Sequence, residues 1–148
     1  MLLKYQIELL KNVSEKKLKE INHLLFQLDP TYDFVDSKLV KKIVSFPGSF
    51  IFVAKSSEGN IIGMITLVSY PMFYGSGKAW IEDVVVDQSC RGQGIGKALI
   101  KKALDKAKEE KIKSINLTSR PSRKRANSLY TEIGFVCRNT NCYRFAVK

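Results

Sequence analysis

Glu82 and Asp83 stand in an otherwise apolar run, Ala79-Trp80-Ile81-Glu82-Asp83-Val84-Val85-Val86. Taking a carboxylate out of water is costly, so a carboxylate in such a run is a candidate proton acceptor; the alternative is a surface or salt-bridged acid. As strand neighbours the two point to opposite faces unless a bulge intervenes. Just beyond lies Arg91-Gly92-Gln93-Gly94-Ile95-Gly96-Lys97. The first turn of a helix has unpaired N–H groups and a positive dipole end, and glycines let an oxyanion come close. A turn of this composition can cradle a pyrophosphate, or it can be a tight turn that starts a helix. Asn127 and Tyr130, three residues apart on a helix, can address one side. A phenol with a pKa near 10 can donate a proton to a strong base, although a packing tyrosine with a hydrogen-bonded hydroxyl is the plainer reading.

Familiar nucleotide motifs do not account for the glycine turn. A Walker A loop needs Ser or Thr after Gly-Lys, and Ala98 follows Gly96-Lys97. A dinucleotide fingerprint starting at Gly92 and Gly94 needs glycine at 97, which is lysine.

The elements that must position these residues follow from periodicity. Alternation predicts a first strand over Lys4–Leu10. Ser14 caps a helix to Leu28 with Leu18, Ile21, Leu25 and Leu28 as its stripe, and Asp36–Ser45 forms a second helix. Phe50–Lys55 and Ile61–Tyr70 pair through a glycine-bearing turn. Lys78–Asp87 reads as a strand covered on both faces, followed by a helix over Gly94–Glu110, a strand over Ile112–Thr118 and a helix over Arg123–Ile133 ended by Gly134. Phe135–Cys137 and Cys142–Val147 are expected to close the sheet as short strands. The order is β-α-α-β-β-β-α-β-α-β-β, one α/β domain with a right-handed βαβ unit around the glycine turn.

The 148 residues carry a net charge of +11, distributed unevenly. Residues 1–90 hold 10 basic and 10 acidic side chains, and residues 91–148 hold 15 and 4. An anionic partner should therefore meet the second half, with nucleic acid, a membrane surface and a phosphorylated cofactor as the options. No apolar run approaches a membrane span, and the N-terminal residues carry no cleavage pattern. Three cysteines without metal-ligand spacing and a single histidine, His23, point to a reduced, cytoplasmic, metal-free protein.

Arg91, Gly94 and Gly96 form the pattern Arg-x-x-Gly-x-Gly directly after Val84-Val85-Val86-Asp87. Together with Asn127-Ser128-Leu129-Tyr130 and Gly134-Phe135, this resembles the GNAT superfamily of acyl-CoA-dependent N-acetyltransferases across most of the chain. The resemblance implies a GNAT-like α/β fold whose mixed central sheet has a splayed parallel strand pair and flanking helices. It implies acetyl-CoA as cosubstrate. Its arm would pair with backbone at Val84, Val85 and Val86, and its pyrophosphate would rest on the amides of Gln93, Gly94, Gly96 and Lys97 beside Arg91. Asn127 would hydrogen-bond the arm, and Tyr130 would give a proton to the departing thiolate. Small-amine members often place a glutamate at the position of Glu82, making it the first candidate base and Asp83 the second. The branch similar to histone acetyltransferases has its acid two residues earlier, where this chain has Trp80.

The implied reaction is direct attack by an amine on acetyl-CoA in a ternary complex. A small-molecule amine is the first expectation, with a protein N-terminus or lysine as the alternative and aminoglycosides behind both. Tyr32, Phe34, Phe73 and Tyr74 are candidate acceptor contacts on loops; each could equally cover the core. A homodimer is compatible with this type of fold. Two non-catalytic readings are an acyl-CoA sensor and a nucleic-acid module using Arg120, Arg123, Lys124 and Arg125. That cluster can also receive the cofactor's 3′-phosphate, and nucleic acid is disfavoured for want of a recognition signature. His23 and Cys90 are read as ordinary residues, Cys90 having no local histidine to activate it.

Overall fold

The computed structural model describes residues 3–73, 75 and 77–147. The chain divides into two compact units, Met1–Leu117 and Thr118–Lys148.

The first unit is a five-stranded sheet in the order β1-β2-β3-β4-β5, formed by Tyr5–Leu9, Ser49–Ser56, Ile61–Tyr70, Lys78–Val86 and Ser114–Asn116. The first four strands are antiparallel to their neighbours, and β5 is parallel to β4. Helices α1 (Glu15–Leu28), α2 (Ser37–Ser45) and α3 (Ile95–Glu109) flank it. Each of the first two helices begins where the sequence offers a cap. Ser14 Oγ accepts from the Lys17 amide at 3.3 Å and Asp36 Oδ1 from the Leu39 amide at 2.7 Å.

Alternation in β2 assigns the helices to faces. Ile51 and Val53 belong to a core cluster with Ile21, Leu24 and Leu25 of α1 and Val40 of α2. On the opposite face, Phe50 lies under the Lys106 ammonium of α3 at 4.7 Å. Leu99 and Ile100 of α3 are fully buried, each contributing roughly 1.5–3 kcal/mol by burial. A Cβ on Gly63 would lie 3.1 Å from the Val85 carbonyl oxygen and 3.2 Å from Leu99 Cδ1. Glycine there lets α3 settle onto the sheet.

Polar side chains on α1 carry the connections that apolar periodicity does not reveal. Asn22 is buried. Its Nδ2 donates to the Val35 carbonyl at 2.9 Å and its Oδ1 accepts from the Val35 amide at 2.9 Å, so one side chain pairs with loop backbone as a strand would. Near the end of α1, Gln27 Nε2 donates to Asp87 Oδ2 at 3.0 Å, and Gln27 Oε1 accepts from the Gln88 amide at 2.9 Å. His23 Nε2 lies 3.2 Å from the same Asp87 oxygen. Burial raises the Asp87 pKa, but hydrogen bonds from Ser89 and Gln27 and the proximity of His23 outweigh it and hold the carboxyl below its ordinary value.

The second unit contains α4 (Lys124–Ile133), closed by Gly134 in the left-handed region, whose amide reaches the Tyr130 and Thr131 carbonyls. The expected strands over 135–137 and 142–147 are not present among the described residues. Val136, Tyr143, Phe145 and Val147 are instead exposed, and no strand ladder joins them. Alternation supplies an apolar face but no hydrogen-bonding neighbour, and without one a segment is not a strand. The strand expected over Ile112–Thr118 is shorter, Ser114–Asn116.

Replacing Asn22 by leucine should destabilise the fold by about 1–3 kcal/mol, because the Val35 amide and carbonyl would lose their partner in a partly buried setting. Urea unfolding of parent and variant measures the difference.

Candidate active site

The site is organised by a register shift between β3 and β4. Met64 pairs with Val85 while Thr66 pairs with Glu82, so Asp83 and Val84 together oppose the single residue Ile65. This β-bulge holds Asp83 at φ 53°, in the left-handed region, which aspartate tolerates better than most side chains. The alternation that would separate adjacent acids is thereby broken. Glu82 is the ladder partner of Thr66, and the Thr66 hydroxyl donates to Asp83 Oδ2 at 2.9 Å.

The two carboxyls differ in surroundings. Asp83 is half-buried and lines an apolar cavity beneath α1 and α2. Burial pushes its pKa up, only partly offset by the Thr66 hydrogen bond. Glu82 reaches solvent, yet partial burial, and then the Asp83 charge, also raise its pKa. A raised carboxyl pKa is what a base needs to accept a proton near neutral pH. Both candidates named from sequence are thus at one place. Tyr32 lines the same cavity as Asp83. Phe34 and Phe73 are exposed and do not line it, and Tyr74 lies outside the described residues.

β4 pairs with β5 only from Lys78/Ser114 to Trp80/Asn116. Beyond that the parallel pair is no longer hydrogen-bonded, and Ile81–Val86 presents an edge with no strand partner on that side among the described residues. This is the splayed pair that the sequence resemblance implied. Val84 and Val86 are partly exposed there, while the Val85 side chain packs in the core against α1 and α2.

The chain then passes through a 3₁₀ turn at Gln88–Cys90 into the glycine turn. Gly92 and Gly94 both have φ 79°, and nothing lies within 4 Å of a Cβ placed on either. Gly94 caps α3 with no side chain over its start, and the first intrahelical bond runs from the Ala98 amide to the Gly94 carbonyl. No carbonyl of the helix itself serves the amides of its first turn, which includes Gly96 and Lys97. Arg91 Nε donates to the Val86 carbonyl at 3.0 Å, tying the turn back to β4. Gln93 Oε1 accepts from the Leu3 amide at 2.8 Å, so its side chain braces the turn.

In the second unit, Asn127 Nδ2 donates to the Arg120 carbonyl at 3.1 Å. Tyr130 meets Phe135 edge to face, with ring centroids 6.0 Å apart. Burial raises the Tyr130 pKa against a smaller downward pull from Arg123, so the phenol holds its proton at neutral pH. Asn22 and Gln27 were missed in the sequence because a polar residue inside a helix reads as solvated; the signal available was their place beside the apolar stripe. Among the described residues no group of three or more His, Cys, Asp or Glu could hold a metal ion, and no helix is long and apolar enough to cross a membrane.

The profile of the Acetyltransferase (GNAT) family matches residues 16–135. The chain is similar to glucosamine 6-phosphate N-acetyltransferase of Trypanosoma brucei brucei, 38% identical over 79 residues that make up 52% of either chain. It is 30% identical over 117 residues to thialysine N-epsilon-acetyltransferase of Bos taurus, covering 72% of this chain and 62% of that one. The chain thus spans between half and two thirds of the length of these curated relatives. Its fold is shared with an aminoglycoside acetyltransferase from an uncultured soil metagenomic sample, at TM-score 0.83, 20% identity and 97% coverage of each chain. A bulged strand with one open edge, a glycine turn at a helix start and a profile match over most of the sequence agree: the chain belongs to the GNAT family of acetyltransferases.

Proposed function

We propose that the protein transfers the acetyl group of acetyl-CoA to the primary amine of a small molecule, by direct attack in a ternary complex. The observation that carries this reading is the bulge at Asp83–Val84, which brings Asp83 to an apolar cavity in the same strand whose other edge is open. Family membership supports acetyl-CoA as the donor. The residues present fit it: two left-handed glycines leave open space ahead of a helix start, a setting suited to a pyrophosphate. The backbone of Val84, Val85 and Val86 is the edge we assign to the pantetheine arm, with Arg91, Gln93, Gly94, Gly96 and Lys97 for the phosphates. Asn127 is assigned to the arm as well, and Arg120, Arg123, Lys124 and Arg125 to the 3′-phosphate. Basic side chains at the start of α4 oppose its dipole, a cost that a bound anion would relieve.

An alkylammonium has no lone pair, so the acceptor must first lose a proton. Asp83 is the acceptor of that proton in our reading, with Glu82 next to it passing the proton to solvent. The freed nitrogen lone pair then forms a C–N bond to the thioester carbonyl carbon, and the C–S bond breaks. Backbone N–H groups near the bulge, where the ladder is interrupted, would polarise the carbonyl oxygen. Tyr130 gives its proton to the leaving sulfur and regains one from solvent. Two protons leave the nitrogen in all: one goes to solvent by way of the carboxylates, and the other balances the one taken by sulfur. The products are an N-substituted acetamide and free CoA.

Thiol release from acetyl-CoA, followed over a panel of amines with mass analysis of products, tests the reaction. Acetylated product is expected; absence of turnover on every amine together with absence of acetyl-CoA binding by calorimetry would overturn the proposal. Asp83→Asn should lower kcat by about 100-fold or more while leaving acetyl-CoA binding intact. The same variant should be more stable than the parent at about pH 8, with the gain gone by about pH 3. A carboxyl whose folded pKa is raised opposes folding when ionised, so its penalty is absent below the ordinary aspartate range and complete above the raised value. Thermal unfolding across pH reads this directly. Tyr130→Phe should reduce kcat by at least about 10-fold without changing the acetyl-CoA Kd. Gly94→Val should instead weaken acetyl-CoA binding, because it fills the space before α3 and strains a φ of 79°.

A further inference from the structure

The cavity beneath α1 and α2 has a volume of about 250 Å³, below the ~300–1,000 Å³ of sites that take drug-sized ligands. Its walls are carbon, from Leu25, Val40, Ile43, Ile51 and Met64. The polar groups on the sheet side are the Thr66 hydroxyl and the Asp83 carboxyl, joined by their 2.9 Å hydrogen bond. Tyr32 and Asp33, both exposed, lie on the loop side. Among the described residues that line it there is no lysine or arginine.

From this lining we infer the acceptor class: a primary amine carried on a compact apolar body, about eight non-hydrogen atoms in all by the volume of liquid water, with no other charge. The inference rests on the proposed acetyltransferase reading and specifies its acceptor. Each alternative acceptor conflicts with the lining. A sugar phosphate would bring two negative charges to a cavity that holds two carboxylates and no cation. An aminoglycoside or a peptide would set hydroxyl or amide groups against carbon, where they would lose their water and gain no partner. An apolar body loses water favourably against the same walls. The single amine is then the group left to meet Asp83, which fixes its orientation. The Asn22–Val35 clip holds the loop side in place, so the volume is set before the acceptor arrives.

The test compares kcat/KM for hexylamine and phenethylamine with that for glucosamine 6-phosphate, an aminoglycoside, a peptide α-amine and hexane-1,6-diamine, at saturating acetyl-CoA. The apolar monoamines should lead every other acceptor by at least 10-fold. If the sugar phosphate, aminoglycoside, peptide or diamine matches or exceeds them, the acceptor class is wrong while acetyl transfer stands. If acetyl-CoA binds but no apolar amine is acetylated, the inference fails; if acetyl-CoA does not bind at all, the underlying reaction fails with it. Two variants at partly exposed Ile43 change the volume in opposite senses. Ile43→Phe should raise KM for phenethylamine at least 10-fold with less than a 2-fold change in acetyl-CoA Kd. Ile43→Ala should shift the preference toward bulkier amines. An unchanged preference in both variants would place the acceptor elsewhere.

Discussion

One extra residue in β4 governs the rest of this structure. A strand presents its side chains alternately to two faces, so two consecutive acids would ordinarily be divided between the α3 side and the α1–α2 side. The bulge at Asp83–Val84 cancels that division and sets both acids against Thr66. It exacts a left-handed φ at a residue that is not glycine, roughly 1–3 kcal/mol of local strain. A half-buried carboxyl with a raised pKa adds to that cost. A fold selected for stability alone would retain neither, and their coincidence at a cavity marks the strand as a candidate site.

Around this strained strand the connections are polar, and most are long in sequence. Gln27 joins α1 to Asp87 and Gln88 at the exit of β4, Arg91 returns the glycine turn to Val86, and Gln93 holds Leu3, two residues ahead of β1. Helix α1 thus touches the cavity through Ile21 and Leu25 and the approach to the glycine turn through Gln27. The acids and the turn are separated by few residues along β4, and the helix packed across them fixes their spacing.

The sequence made the helices, the first four strands and the glycine turn legible because each is encoded locally, by period, cap or breaker. Ser14 and Asp36 are caps in the structure as their side-chain chemistry requires. The bulge was legible only as a condition, since nothing in Glu82-Asp83 itself states the register of β3. The cavity depends on how α2 and the 29–36 loop lie over β2 and β3, a matter of long-range packing. The residues after Gly134 alternate as a strand would, yet alternation cannot supply the neighbour that a ladder requires. Loop aromatics were the hardest to read: Tyr32 lines the cavity and Phe34, two residues on, does not.

The Asn22 clip has a wider consequence. Its two bonds to Val35 replace a stretch of ladder with one side chain, so the loop that forms the cavity's mouth is hydrogen-bonded to α1. The cavity is therefore lined from two parts of the chain, α1 with the 32–43 segment on one side and Ile51, Met64, Thr66 and Asp83 of the sheet on the other. Substitutions between 29 and 43 can reshape the cavity while β4, with its strained acid and its turn, is left unaltered. On the acceptor reading proposed above, drift in that loop would change which amine fits without touching the strained acid or the turn.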